Sequence, residues 1–248
     1  MERQRGIFTS LWFHRRFRLT PDGRYDAQVE LAEWARGPYD TLRKNLLLHA
    51  GGNGHADPRI ILLAPARHGD GTTTTAILLA ASLATVRPTV VVDLNFRWPG
   101  VSEAVGLNGA AGLGSLLRNG ASADLDAVVH STPVLNLHVL PNGSGTGQRA
   151  IPDTHAIGTV IEALRVRFEY VIIDAAPVPL YPDTSLLASL ADATIMVVAA
   201  DATPLEHCLI TRQELDRAGA RLLGAVVTRQ RRFVPEPLAR RIGVPDAA

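Results

Sequence analysis

The chain has 248 residues, 46% of them hydrophobic, and a formal net charge of +1 at pH 7. That length suits one large α/β domain or two small ones with a sizeable buried core, and the near-neutral charge argues against an overall nucleic-acid binder. A single cysteine, Cys208, excludes an intrachain disulfide and fits a reducing compartment, while no apolar run has the length of a membrane span or of a secretory signal.

In chain order, the first segment mixes Arg3, Arg5, Arg15, Arg16 and Arg18 with Phe8, Leu11, Trp12, Phe13 and Phe17. It reads as an arm packed on the domain, or as a tether to an anionic membrane or membrane partner, because basic and aromatic residues interleave. "LAEWARGPYDTLRKNLLLH" predicts a helix, with Leu42, Leu46 and His49 near helical spacing. "AGGNGHADP" is a linker by its glycines and proline. Strand-like and helix-like runs then alternate. "IILLA" predicts a strand, residues 72–86 a helix ended by Arg87-Pro88, and "TVVVDLN" the second strand. Two short helical pieces follow at 101–105 and 113–118, then a strand in "NLHVLP", a loop in "NGSGTGQRAIPD" and a helix in "AIGTVIEALRVRF". "YVIID" is a strand, "DTSLLASLA" helical, "ATIMVVAA" a strand, "PLEHCLITRQELDRAG" a helix and "RLLGAVVT" the last strand. Continuous apolar strands spaced by helices indicate a doubly wound α/β fold, its mostly parallel sheet covered on both faces. Ligands of such sheets sit at the carboxyl ends of the strands. The glycine loop, Asp93 and Asp174 all fall there.

The stretch "APARHGDGTTTT" joins the first strand to a helix. A strand–glycine turn–helix unit aims backbone N–H groups and a helix N-terminus at one point, which suits a phosphate. Gly69 and Gly71 permit close backbone approach. From Ala66 the pattern A-x-x-x-x-G-K-[ST] is met except for its lysine, whose place is held by Thr72. Thr73 stands where a hydroxyl would hold Mg²⁺. A plain strand-to-helix turn with Thr72 or Thr73 near the N-cap is the other reading. Asp93 and Asp174 likewise read either as metal-site carboxylates or as caps for loop amides. Lys44 is the sole lysine of the chain, so no second one is at hand. The eight histidines lack zinc-type spacing, and Arg229, Arg231, Arg232, Arg240 and Arg241 make a basic tail.

Taken together, "PYDTLRKNLL", the loop, "VVVDLNFRWP", "GLGSLLRNG", "NLHVLPNG", "YVIIDAAPV", Asp183 and "LLGAVVTR" resemble the cytoplasmic kinase domain of bacterial tyrosine kinases, regulators of capsular and exopolysaccharide synthesis. These belong to the deviant P-loop ATPases that include the Min and Par proteins. The resemblance implies a P-loop NTPase-like domain over 37–229, between an arm at 1–36 and a basic tail at 230–248. It implies cofactor contacts from Gly69, Asp70, Gly71, Thr72, Thr73 and Thr74. It further implies Mg²⁺ held by Thr73, Asp93 and Asp174, with the two aspartates catalytic if the chain is active. Arg97 and Pro99 match the end of the kinase-type A′ motif, and Asp183 an aspartate downstream of Walker B.

The departures from that pattern are several. Thr72 replaces the phosphate lysine, Asn95 the second A′ aspartate, and Thr228 an asparagine that reads adenine. Gly37 and Asp40 replace the glutamate and first arginine of a subunit-joining E-x-x-R-x-x-R helix, leaving Arg43. No tyrosine follows Tyr181, so the C-terminal phospho-acceptor cluster is missing. The expectation is therefore a catalytically impaired regulatory or scaffolding subunit. ATP or ADP with Mg²⁺ would bind weakly or not at all. The expected partner is a membrane-spanning polysaccharide chain-length or export protein that holds the chain at the cytoplasmic face, alongside self-association and without nucleic acid. An active Mg·ATP-dependent kinase and a partition-type switch are the alternatives.

Overall fold

The computed structural model describes residues 33–50, 57–119, 124–143, 153–181, 183–200 and 202–230. The basic–aromatic arm through residue 32, the glycine linker at 51–56 and the tail from 231 lie outside them. Helix α1 spans Glu33–Ala50 and β1 spans Ile60–Pro65, followed by α2 at Thr72–Ala84 and β2 at Thr89–Asp93. Short helices α3 (Gly100–Ala104) and α4 (Leu113–Asn119) precede a 3₁₀ turn, β3 (His130–Ser131) and β4 (Leu137–Leu140). Then come α5 (Thr154–Arg167), β5 (Tyr170–Asp174), α6 (Asp183–Ala188), β6 (Ala193–Ala199), α7 (Leu205–Arg217) and β7 (Leu222–Thr228).

Seven strands form one sheet in the order β3-β4-β2-β5-β1-β6-β7. Every pairing is parallel except β3 against β4. The antiparallel edge strand β3 is absent from the sequence reading, because two residues carry no period. Strand alternation divides the core in two. Ile60, Leu62, Val90, Val92, Val171 and Ile173 face α4, α5, α6 and α7. Ile61, Leu63, Val91, Ile172, Ile195 and Val197 face α1, α2 and α3.

Helix α2 is buried nearly all round, from Thr72 and Thr75 through Ala84. A helix apolar on every side needs cover on every side, and α1 supplies the outer cover. Leu46 is buried there, with Tyr39 and Leu42 packed against the same cluster. A polar tie fixes the register of the two helices. Ser82 Oγ donates to Asp40 Oδ1 at 2.6 Å and accepts from Arg43 Nε at 3.1 Å. At the amino edge of the sheet, Asp192 Oδ2 accepts from the N–H groups of Arg59 and Ile60 at 2.8 and 2.9 Å. The Arg59 guanidinium donates to the carbonyls of Arg165 and Phe168, which end α5. Among the described residues, no helix is long and apolar enough to cross a membrane.

Candidate functional site

Parallel strands bring the carboxyl ends of β1, β2 and β5 to one edge. Asp93 and Asp174 are register partners there, and Leu63 of β1 pairs with Asp174. The loop leaving β1 therefore stands directly beside both carboxylates. It turns through Gly69 at φ 87° and Gly71 at φ 88°, values that favour glycine. Gly71 is the N-cap of α2, and no side chain caps that end. Thr72 and Thr73 follow it as the first two residues of the helix, beside the N-cap as the turn reading has them. Among the described residues, the N–H groups of Gly69, Gly71, Thr72 and Thr73 find no protein acceptor. Four unpaired donors at the head of a buried helix make an anion cradle.

Asp70 shapes that cradle from behind. Its carboxylate accepts from Arg67 N at 2.8 Å and from Thr203 Oγ1 at 2.6 Å. Its carbonyl accepts from Thr228 Oγ1 at 2.6 Å, and its own N–H is turned to Arg67 O. With every polar group engaged within the chain, Asp70 braces the loop. Thr228, the last residue of β7, is a strut holding the loop to that strand. Arg67 is turned outward, its guanidinium donating to Ala202 O at 2.8 Å.

Thr73 Oγ1 donates to Asp174 Oδ2 at 2.6 Å. The other oxygen, Oδ1, is buried without a hydrogen-bond partner, and so is Thr72 Oγ1. Burial first, and the neighbouring Asp93 second, hold the Asp174 carboxyl above the usual carboxylate range. Asp93 is also raised by burial, against the pull of bonds from Ser102 and Asn95. Its Oδ2 accepts from Ser102 N and Oγ at 3.1 and 3.0 Å, and its Oδ1 from Asn95 N at 3.2 Å. Asp93 thus caps α3 as well as pairing in register with Asp174, which bears out the capping reading. Asn142 closes the network, donating its N–H to Ser102 Oγ and its amide to Asp93 O. Ser102 and Asn142 were not legible as site residues, since nothing in their spacing ties them to Asp93.

The remaining wall is the turn from β2 to α3. Asn95 Oδ1 accepts from Arg97 N at 3.3 Å and Trp98 N at 3.1 Å. This Asx turn aims Trp98 at the loop, where its ring lies 4.4 Å from His68 and 5.8 Å from Tyr181, centroid to centroid. The Arg97 guanidinium stands 4.8 Å over the Tyr181 ring. Gly100 lies so close to Thr73 that a Cβ there would come within 2.6 Å of Oγ1. Asp183, which the resemblance singles out, heads α6, and Thr74 lies in the first turn of α2.

The residues present fit a magnesium–phosphate group. The loop amides suit phosphate oxygens. Thr73 and the orphaned oxygen of Asp174, backed by Asp93, suit a hard divalent cation. Missing from α2 is a cation, since Thr72 offers a short, uncharged hydroxyl.

No family model matches the chain. It is 26% identical over 207 residues to the tyrosine-protein kinase CpsD of Streptococcus agalactiae, covering 82% of this chain and 87% of that protein. It is 34% identical over 181 residues to the chromosome-partitioning ATPase Soj of Thermus thermophilus, covering 70% of each. In fold it matches the kinase domain of the Escherichia coli tyrosine kinase ETK with a TM-score of 0.68 at 17% identity, over 90% of both chains. The chain belongs to the P-loop ATPases of the chromosome-partitioning type, and among their relatives it is similar to the bacterial tyrosine kinases of capsule and exopolysaccharide synthesis.

Proposed function

We propose that this protein is a regulatory or scaffolding subunit of capsule or exopolysaccharide synthesis and export, able to seat a Mg·nucleotide but impaired in phosphoryl transfer. The observation that carries this reading is Thr72, a buried hydroxyl without a partner in the lysine position beside an otherwise formed cradle. A lysine there would make charge-assisted hydrogen bonds to the β and γ phosphates. One such bond is worth about 1.5–3 kcal/mol, so its loss weakens binding about tenfold to a hundredfold. Transfer suffers more, because charge builds on those oxygens in the transition state. A bound Mg²⁺ would neutralise phosphate charge. Thr73 and Asp174 would hold it, and Asp93 would orient the attacking group. On this reading the partner is a membrane-spanning chain-length or export protein. It would keep the chain at the cytoplasmic face, with the arm at 1–36 as part of the contact.

Calorimetric titration with Mg·ATP and Mg·ADP, beside a Thr72→Lys variant, tests the reading. Weak binding by the wild type and binding at least tenfold tighter by Thr72→Lys is the expected result. Tight wild-type binding together with tyrosine phosphorylation of a partner would establish an active kinase instead. Binding by neither protein would overturn the nucleotide site. The 34% identity to a partition ATPase supports a second reading, a nucleotide switch on DNA or membrane. Binding to DNA or anionic vesicles that is lost when the tail arginines are replaced would favour it.

A further inference from the structure

The cradle lacks a cation on α2, and the loop's own arginine does not supply one, since Arg67 is committed to Ala202 O. Arg97 is placed differently. Its guanidinium has no carboxylate or hydrogen-bond acceptor among the described residues, and its contact there is the face of Tyr181 at 4.8 Å. Its backbone is clamped at the mouth of the loop. Asn95 holds the turn through Arg97 N and Trp98 N, Trp98 packs on His68 of the loop, and Gly100 abuts Thr73. The turn that carries Arg97 thus touches the phosphate loop on the far side of that residue, at Trp98 and Gly100. A cation seated on an aromatic face beside an anion cradle, with no carboxylate partner among the described residues, is a charge held ready for an anion.

We propose that Arg97 takes the place of the missing lysine, its guanidinium meeting the terminal phosphate oxygens of a nucleotide seated on the loop amides. The inference rests on the reading of the loop as a nucleotide site. A planar guanidinium forks onto two phosphate oxygens. Coming from the β2–α3 turn beside Thr73 and Asp174, Arg97 approaches the metal end of the site. Its removal should therefore affect a triphosphate more than a diphosphate. Asn95 gains a role here as well, because its side chain fixes the turn that an aspartate's charge would make less welcoming to phosphate.

The test is calorimetry on the full chain with Mg·ATP and Mg·ADP, comparing wild type, Arg97→Ala, Arg97→Lys and the double variant Arg97→Ala/Thr72→Lys, with melting temperatures alongside. The expected result is Mg·ATP binding weakened about tenfold to a hundredfold by Arg97→Ala. Mg·ADP should be affected less, Arg97→Lys should fall between, and the double variant should return to near wild type. The rescue separates charge from packing, since a lysine on α2 cannot repair a displaced Tyr181. Equal Mg·ATP binding by wild type and Arg97→Ala would overturn the role of Arg97 and leave the nucleotide site standing. Weakening that Thr72→Lys fails to rescue would assign Arg97 to packing and overturn it too. No nucleotide binding by the wild type or by Thr72→Lys alone would overturn both.

Discussion

Asp174 carries one carboxylate oxygen bonded to Thr73 and one buried with no partner, 101 residues along the chain from that threonine. Its carboxyl therefore keeps its proton to a higher pH than an exposed aspartate, whose value is about 3.9. In the weakly acid range the folded chain then binds more protons than the unfolded chain. Stability is greatest at low pH within that range and is lost as pH rises through the folded-state value. The melting temperature should fall by several degrees from weakly acid to weakly alkaline buffer, roughly 2–4 °C for each kcal/mol lost. Asp174→Asn should flatten the slope and raise the melting temperature at the alkaline end. A slope unchanged in Asp174→Asn would place its origin elsewhere. Mg²⁺ with nucleotide should flatten the wild-type slope as well, because a cation favours the charged form.

At the scale of elements, the site is a junction of turns whose helices and strands were largely legible. The strands "YVIID" and "ATIMVVA" and the helix after the loop follow from apolar runs and their breakers. The contacts that shape the site did not. Thr228 reaches Asp70 from 158 residues away, and Thr203 from 133. Such pairings depend on which strands become neighbours, and no local period records that. The junction of α3 with α2 offers a direct test. Gly100→Ala puts a methyl group within 2.6 Å of Thr73 Oγ1, so Thr73 must turn and give up Asp174. The expected cost is about 1–3 kcal/mol in stability, with nucleotide affinity falling more than Gly100→Ala lowers the melting temperature. Unchanged affinity would show that Thr73 adapts without leaving the site.

For the molecule as a whole, α1 bears on assembly. In related chains the resemblance gives this helix to subunit joining, and Arg43 is what remains of that motif here. Its guanidinium is bonded to Ser82 and Asp40 of the same chain. We expect Arg43→Ala to lower the melting temperature by a few degrees, about 1 kcal/mol for a half-buried hydrogen-bonded tie. The mass in solution by light scattering should not change. A drop in mass with no loss of stability would return Arg43 to the interface.

By itself the sequence determined the alternation of strand and helix, the glycine loop between β1 and α2, and the two aspartates at strand ends. Each of these rests on local chemistry: apolar period, glycine φ and the position of a charge after an apolar run. The tertiary structure alone decided that Asp93 and Asp174 are register partners and that Asp70 is a brace. It also set Trp98 against His68 of the loop and Arg97 over the Tyr181 ring, in a turn held by Asn95. The reason is physical. A parallel sheet joins residues far apart in sequence through crossovers, and only the order of its strands settles which side chains share an edge.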